Sequence, residues 1–550
     1  MRNGLLGVLL VAMTAFALQT SAFAKSPFTN FKSLAKETGF STLYKEVGKL
    51  GRKAKLAIID VGFDGYEKEL GKSLPSDIVF HPPIQDQDAE SAKEAHGLFV
   101  AQVAYAFLSN DGEDDRLVPQ IHLMGGKGFT NLKNAINQAI EEKVDVILYA
   151  SDWEYGNNFD GKGFINQIVS KATDKGILFI KSAGNYALTT YNGSIKTGDE
   201  DWVELPGKNK SLEMKCETVA KDEKCPLRIV LSWNDYKDDI EAGTNKDLDL
   251  VVTDDTLNIL GKSVLTQTTN ANIGVGETKF PREIVEISVP KGTYFIRVKN
   301  RSGNFDSSDM LRVMVAGQGA VLLKTDTASS MTNPADHPDV ITVGAFDFER
   351  SSLSLETGKP EIFTASLMEI SDTEIIKGST SSAAIVAAAA VVARSMNKDI
   401  TKKSFLAKVS TIKPRHGLTE NELWFSSVTP ECYPPVKKDD ISGEKNVKDV
   451  LKRGGVMVHT SVGPKIFMTY DPIIISDIPG RRRADDMIVL TQNGLELRHG
   501  SVQLQMRRGE YEVVQVPFQK FICGDPVSKA ISEATNVEAM RILKASDLIN

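Results

Sequence analysis

The sequence predicts an α/β fold: a doubly wound parallel sheet with an antiparallel β-sandwich inserted into it and a β-rich C-terminal region. Three observations carry this. Short apolar strands alternate with helical segments over residues 53–198, the pattern of a parallel sheet covered by helices. Helical periodicity then disappears until about residue 320, and short β runs split by turn residues replace it. Sheet-type sequence resumes at Asp339-Val-Ile-Thr-Val-Gly344 and leads into a long helix free of charge from Ile385 to Ala393.

Lys55-Leu-Ala-Ile-Ile-Asp60 is a short apolar strand that ends in a carboxylate. Functional groups in open α/β sheets collect at the carboxyl ends of strands, although an Asp there is also a common helix cap. Ala95-His96-Gly97 opens a helix of small and apolar residues. Ile121–Met124 reads as a strand. Leu132, Ala135, Ile136, Ala139 and Ile140 form a helical stripe. Val144–Ala150 is a further strand, Phe164–Lys175 a helix ended by Gly176, and Ile177–Ile180 a strand closed by Ser182-Ala-Gly-Asn185.

Within the insertion, Arg228–Trp233, Asp249–Thr253, Glu283–Val289, Thr293–Val298 and Leu311–Val315 are the β runs. Asp235, Asp247 and Asp249 are candidate calcium ligands at one end of it, with solvated loop carboxylates as the plainer reading. Gly378-Ser-Thr-Ser381-Ser-Ala-Ala384 brings a serine to the first turn of the uncharged helix, which an N-cap alone would also explain. An amphipathic helix over 401–412 completes this part. Residues 430–445 have linker composition, 446–525 read as β-rich, and 527–549 as a closing helix.

The chain of 550 residues allows roughly three or four domains. It is 41 % hydrophobic and 25 % charged with net charge -7, and no basic stripe interleaves with aromatics, so no nucleic-acid partner is expected. Met1-Arg2-Asn3, the apolar run Leu5–Leu18 and Ser21-Ala-Phe-Ala24 form a secretory signal peptide over 1–24. The mature protein, from Lys25, is then secreted or periplasmic, with no later membrane span. Four cysteines in an oxidising space suggest pairing. Cys216 and Cys225 close a small loop and Cys432 and Cys523 bracket the C-terminal region, and the alternative connectivities stay open.

Asp60, His96, Asn185 and Ser381 all fall at strand ends or helix starts of the α/β part. Together they supply a hydroxyl nucleophile, an imidazole base, a carboxylate to orient it and an amide donor for an oxyanion. The order Asp, His, Ser is that of subtilisin. An order of Ser before Asp before His would need a G-x-S-x-G elbow, which the chain lacks.

These stretches carry a family resemblance. Ile58-Ile-Asp60-Val-Gly62, His96-Gly-Leu-Phe-Val-Ala101, Ser182-Ala-Gly-Asn185 and Ser379-Thr-Ser381-Ser-Ala383 resemble the Asp, His, oxyanion and Ser motifs of subtilisin-like serine proteases, the subtilases. Pro334–Gly344 and Lys359-Pro-Glu361 resemble framework stretches of the same family. The insertion is similar to the jelly-roll accessory domains found after the catalytic domain in kexin-like and many bacterial members. Ser379, Ile385 and Leu98 stand where the family usually has glycine, proline and threonine.

The resemblance implies a subtilisin-like catalytic domain over 53–198 and 320–420, after an N-terminal extension of 25–52 and around a sandwich of 199–319. Residues 430–550 form a C-terminal domain without a chemical reading. It implies a secreted serine endopeptidase acting on proteins or peptides through an acyl-enzyme, with Asp60, His96 and Ser381 as triad and Asn185 at the oxyanion. No cofactor is required for the chemistry, and structural calcium is a family expectation. The alternative is a subtilase fold of weak or no activity that serves as an envelope or extracellular binding protein.

Overall fold

The computed structural model describes residues 26–48, 50, 52–85, 94–217, 224–317, 319–327, 329–348, 350–354, 357–371, 374–414 and 539–549, with strand backbones at 456–460, 463–467, 473–475, 486–491, 494–499 and 519–520. The signal-peptide reading of 1–24, the linker of 430–445, Cys432 and Cys523 lie outside the described residues.

A nine-stranded sheet organises the molecule. Its spatial order is Val79–His81, Gln120–Gly125, Lys55–Asp60, Val146–Tyr149, Leu178–Ser182, Ile341–Ala345, Ile362–Thr364, Ala539–Leu543 and Ser410–Pro414. All neighbours run parallel except the last pair. Strand residues alternate between two cores, as a period of two requires. Leu56, Ile58, Leu148 and Ile180 enter one core, and Ala57, Ile59, Ile147 and Phe179 the other. Each such isoleucine or leucine, fully buried, contributes roughly 1.5–3 kcal/mol.

The first core lies under His96–Leu108 and Ser379–Met396, which pack against each other. Both helices are rich in Ala and Val, so they approach closely. Phe129–Glu141 and Phe164–Thr173 cover the opposite face. Ser379–Met396 is apolar and long enough to cross a membrane, but 89 % of it is buried inside the protein. It is a core helix.

The order in which strands are added to the sheet switches sides at Lys55–Asp60. The strands on its two sides are Gln120–Gly125 and Val146–Tyr149. Ligands of open α/β sheets bind outside the carboxyl ends at such a switch point. Asp60 is the last residue of that strand.

One feature adds to the sequence reading and two differ from it. The N-terminal extension forms two helices, Phe31–Glu37 and Phe40–Glu46, whose Phe31, Phe40 and Leu43 belong to the main core. The sandwich begins before 199, because Thr190–Ser194 pairs with Met310–Ala316, and ends after 319, because Ala320–Leu322 pairs with Leu212–Cys216. Lastly, the expected closing helix of 527–549 is, within the described residues, a strand followed by a short 3₁₀ helix. Ala539–Leu543 joins the main sheet and Ala545–Ile549 packs on the helices Phe40–Glu46 and Lys402–Val409. A sheet edge that supplies pairing partners overrides local helical preference.

The insertion consists of a five-stranded and a four-stranded antiparallel sheet around one core. A disulfide joins Cys216 to Cys225, as its short loop suggested.

Candidate active site

Asp60 is fully buried. Its Oδ1 accepts three hydrogen bonds, from His96 Nδ1 at 2.8 Å, Val61 N at 2.7 Å and Ser151 Oγ at 3.2 Å. His96 opens its helix, and its side chain is 36 % exposed, so the ring has one edge on the carboxylate and one towards solvent. The Asp60 charge beside it pushes His96 up to about 9, against the opposing effect of burial.

Gly97 permits this approach. A Cβ there would lie 2.5 Å from Phe63 Cε1, 2.6 Å from Gly62 O and 2.8 Å from Asp60 Cβ. Gly97→Ala is therefore expected to destabilise the protein by about 1–3 kcal/mol through overpacking and to lower activity by disturbing the Asp60–His96 contact. Thermal unfolding beside a rate assay checks both, and an unchanged melting temperature contradicts the packing argument.

Ser381 sits in the first turn of Ser379–Met396, where backbone N–H groups lack helical partners. Its side chain is 1 % exposed, and its Oγ makes no hydrogen bond. The described geometry therefore joins His96 to Asp60 but not to Ser381. Catalytic hydrogen bonds are often loose without substrate and tighten on binding.

Asn185 follows the strand Leu178–Ser182 and reaches the start of the Ser381 helix. Its Oδ1 accepts from Ser379 N at 3.0 Å and Ser379 Oγ at 3.1 Å. With the amide oxygen so fixed, Nδ2 is the donor left to present. Ser379 replaces the family's glycine without backbone strain, because it lies inside the helix and is not among the residues of positive φ. Its hydroxyl also accepts from Gly184 N at 3.1 Å. The left-handed region falls instead at Gly378, φ 155. Ile385 is buried in the main core and Leu98 packs against it.

Sequence reasoning missed Ser151, which holds Asp60, and the ion pair of Lys181 with Asp152. Lys181 is fully buried, and its Nζ lies 2.7 Å from Asp152 Oδ1. Burial pulls the Lys181 ammonium down and Asp152 opposes this. A lysine in the apolar run Ile177–Ile180 and its continuation was the available signal. Glu154, also buried, accepts from Tyr186 OH at 3.1 Å, and burial pushes its carboxyl up.

Each of the calcium candidates has a charged neighbour within the protein. Asp235 accepts from Lys237 Nζ at 2.6 Å, and Asp249 lies 3.3 Å from Arg301 Nε. Asp247, beside Asp249, is pushed up to about 6 by burial and that like charge. Among the described residues the cluster of metal-ligand type is His81, His122 and Glu142, with His81 Nε2 and His122 Nδ1 3.0 Å apart.

A parallel sheet with helices on both faces, with an Asp–His pair at its switch point and a serine-bearing core helix beside it, defines the subtilisin-like α/β class. Residues 51–222 match the model of the subtilase family, so the chain carries a subtilase domain there. That match contains Asp60, His96 and Asn185 and ends before Ser381. Similar solved structures include the CspB protease of Clostridium perfringens, at 12 % identity and TM-score 0.41 over 69 % of this chain and 92 % of that one. The nisin leader peptidase NisP of Lactococcus lactis has 13 % identity and TM-score 0.33 over 70 % and 88 %. MycP1 of Mycobacterium smegmatis has 11 % identity and TM-score 0.30 over 70 % and 82 %. No curated protein matches the chain.

Proposed function

We propose that the protein is an exported serine endopeptidase that hydrolyses peptide bonds through Asp60, His96 and Ser381. The observation that supports this most is the 2.8 Å hydrogen bond from His96 Nδ1 to the buried Asp60 Oδ1. It fixes the tautomer that leaves Nε2 free to accept a proton.

In this reading His96 Nε2 takes the Ser381 Oγ proton as Oγ attacks the substrate carbonyl carbon. The carbonyl oxygen becomes an oxyanion, stabilised by Asn185 Nδ2 and the Ser381 backbone N–H at the helix start. His96 then gives its proton to the leaving amine, and the C–N bond breaks to leave an ester on Ser381. Water, deprotonated by His96, releases the acid and restores the serine. No metal or cofactor takes part in these steps. Export, to the periplasm or beyond the cell, follows from the signal-peptide reading of 1–24.

His96 must be neutral to act as base. Because its ionisation is raised towards about 9, activity is lost as pH falls through that region. For casein hydrolysis by the mature protein, kcat/KM is expected to fall about tenfold per pH unit below the His96 ionisation and to level above it. A half-point at or below the ordinary histidine value of about 6.5 contradicts the assigned role of the Asp60 charge. Absence of hydrolysis by the folded protein at every pH contradicts the proposal itself.

A further inference from the structure

Beside the Asp60–His96 pair, between the main sheet and the inserted sandwich, lies a cavity of about 1030 Å³. Its two walls come from different parts of the chain. One is catalytic. Val61 and Ser151 line it, and each donates a hydrogen bond to Asp60 Oδ1. The other is the end of the four-stranded sheet, where Glu286 pairs with Arg228, Ile287 with Leu227 and Ser288 with Pro226. Ile287 is half-buried and Ser288 exposed, so this wall offers side chains to whatever enters.

The wall is fastened. Arg228 forms an ion pair with Glu286 on its neighbouring strand, and its Nε lies 3.8 Å from Glu154 Oε1 on the catalytic side. Glu154 is buried and held by Tyr186, so this contact anchors in the main domain. Arg282 of the insertion stacks over the Tyr155 ring at 3.8 Å. Two guanidinium groups thus tie the sandwich to the segment that follows the strand Val146–Tyr149. Small-molecule pockets span about 300–1,000 Å³. This one exceeds that range, is two-walled and runs alongside the catalytic pair, dimensions suited to a few residues of extended chain.

We propose that the inserted sandwich is the second wall of the substrate cleft, and that the protein takes extended, unfolded polypeptide segments threaded between the two walls. The inference rests on the endopeptidase reading for its chemistry but is testable by binding alone. Side chains of the bound segment meet Ile287, Ser288 and the Arg228 stem on the insertion. A folded protein surface does not enter the gap between the walls.

The test uses the full mature chain carrying Ser381→Ala, so that ligand is bound and not consumed. The probe is fluorescein-labelled, reduced and carboxymethylated ribonuclease, followed by fluorescence anisotropy, with native ribonuclease as competitor. The expected result is saturable binding of the unfolded probe, no competition by the native protein, and at least tenfold weaker binding when Ser288→Trp fills the cavity from its exposed position. Arg228→Ala, which releases the wall, weakens binding as well and serves should the tryptophan variant not fold. Equal affinity in folded Ser288→Trp and Arg228→Ala proteins, or equal binding of native ribonuclease, overturns the inference. Wall-dependent binding by a chain whose wild-type serine does not react with a fluorophosphonate would instead overturn the endopeptidase reading and leave the cleft assignment standing.

Discussion

Ser381→Ala is expected to lower hydrolysis of an unfolded protein substrate by at least about 10⁴-fold, because loss of a triad nucleophile removes the covalent route entirely. The same change should leave the fold intact. Ser381 Oγ is buried and makes no hydrogen bond, and removing an unsatisfied buried hydroxyl costs little or is stabilising, on the order of 1 kcal/mol. A melting temperature equal to or above that of the wild type, together with lost activity, therefore separates chemistry from stability. Activity within tenfold of wild type means that another group is the nucleophile.

Asp60→Asn carries the second large effect. A carboxamide in the place of Asp60 still fills the site, but it removes the negative charge and favours the wrong tautomer of His96. A loss of about 10⁴-fold in kcat is expected. The sign of the ionisation change is equally specific. The Asp60 charge is the largest cause raising His96, and burial acts in the opposite direction. Without that charge the His96 ionisation must move down from about 9, which NMR titration of the imidazole resolves. A His96 ionisation that stays in place in Asp60→Asn contradicts the electrostatic account even if the rate falls.

The pair Asp60–His96 was legible because both residues sit where a change of periodicity marks an element boundary. Asp60 ends an apolar strand, and His96 begins a helix of small residues. Ser381 was legible for the same reason, as the polar turn before an uncharged helix. Asn185 closes a strand and meets the Ser381 helix only in three dimensions, yet its position at a strand end was enough to single it out. Its actual partner, Ser379, was not foreseen. At 379, where the family usually has glycine, the position is helical and the serine hydroxyl joins Gly184 and Asn185.

What stayed hidden depends on packing between distant segments. Ser151 bonds to Asp60 across 91 positions of chain, and no local pattern records that. The Lys181–Asp152 pair joins a strand interior to a loop. Likewise, the return of Ala539–Leu543 to the main sheet requires an edge built by Ile362–Thr364, with Ile542 pairing to Phe363 across 179 positions of chain. Local periodicity over 527–549 suggested a helix because nothing local announces a waiting strand edge. The sandwich itself was visible from its alternating β runs. That one end of it packs beside Glu154 of the main domain was not, since Arg228 and Glu154 meet only after both parts fold.

The measurement that tests the central claim most directly is reaction of the folded mature protein with a fluorophosphonate, followed by mass-spectrometric location of the adduct. The reagent reports one property, an activated serine, and needs no knowledge of the natural substrate. The account predicts a single adduct on Ser381, formed faster as pH rises through the His96 ionisation and absent from His96→Ala. A folded protein that forms no adduct, or one whose adduct persists in Ser381→Ala, would contradict it.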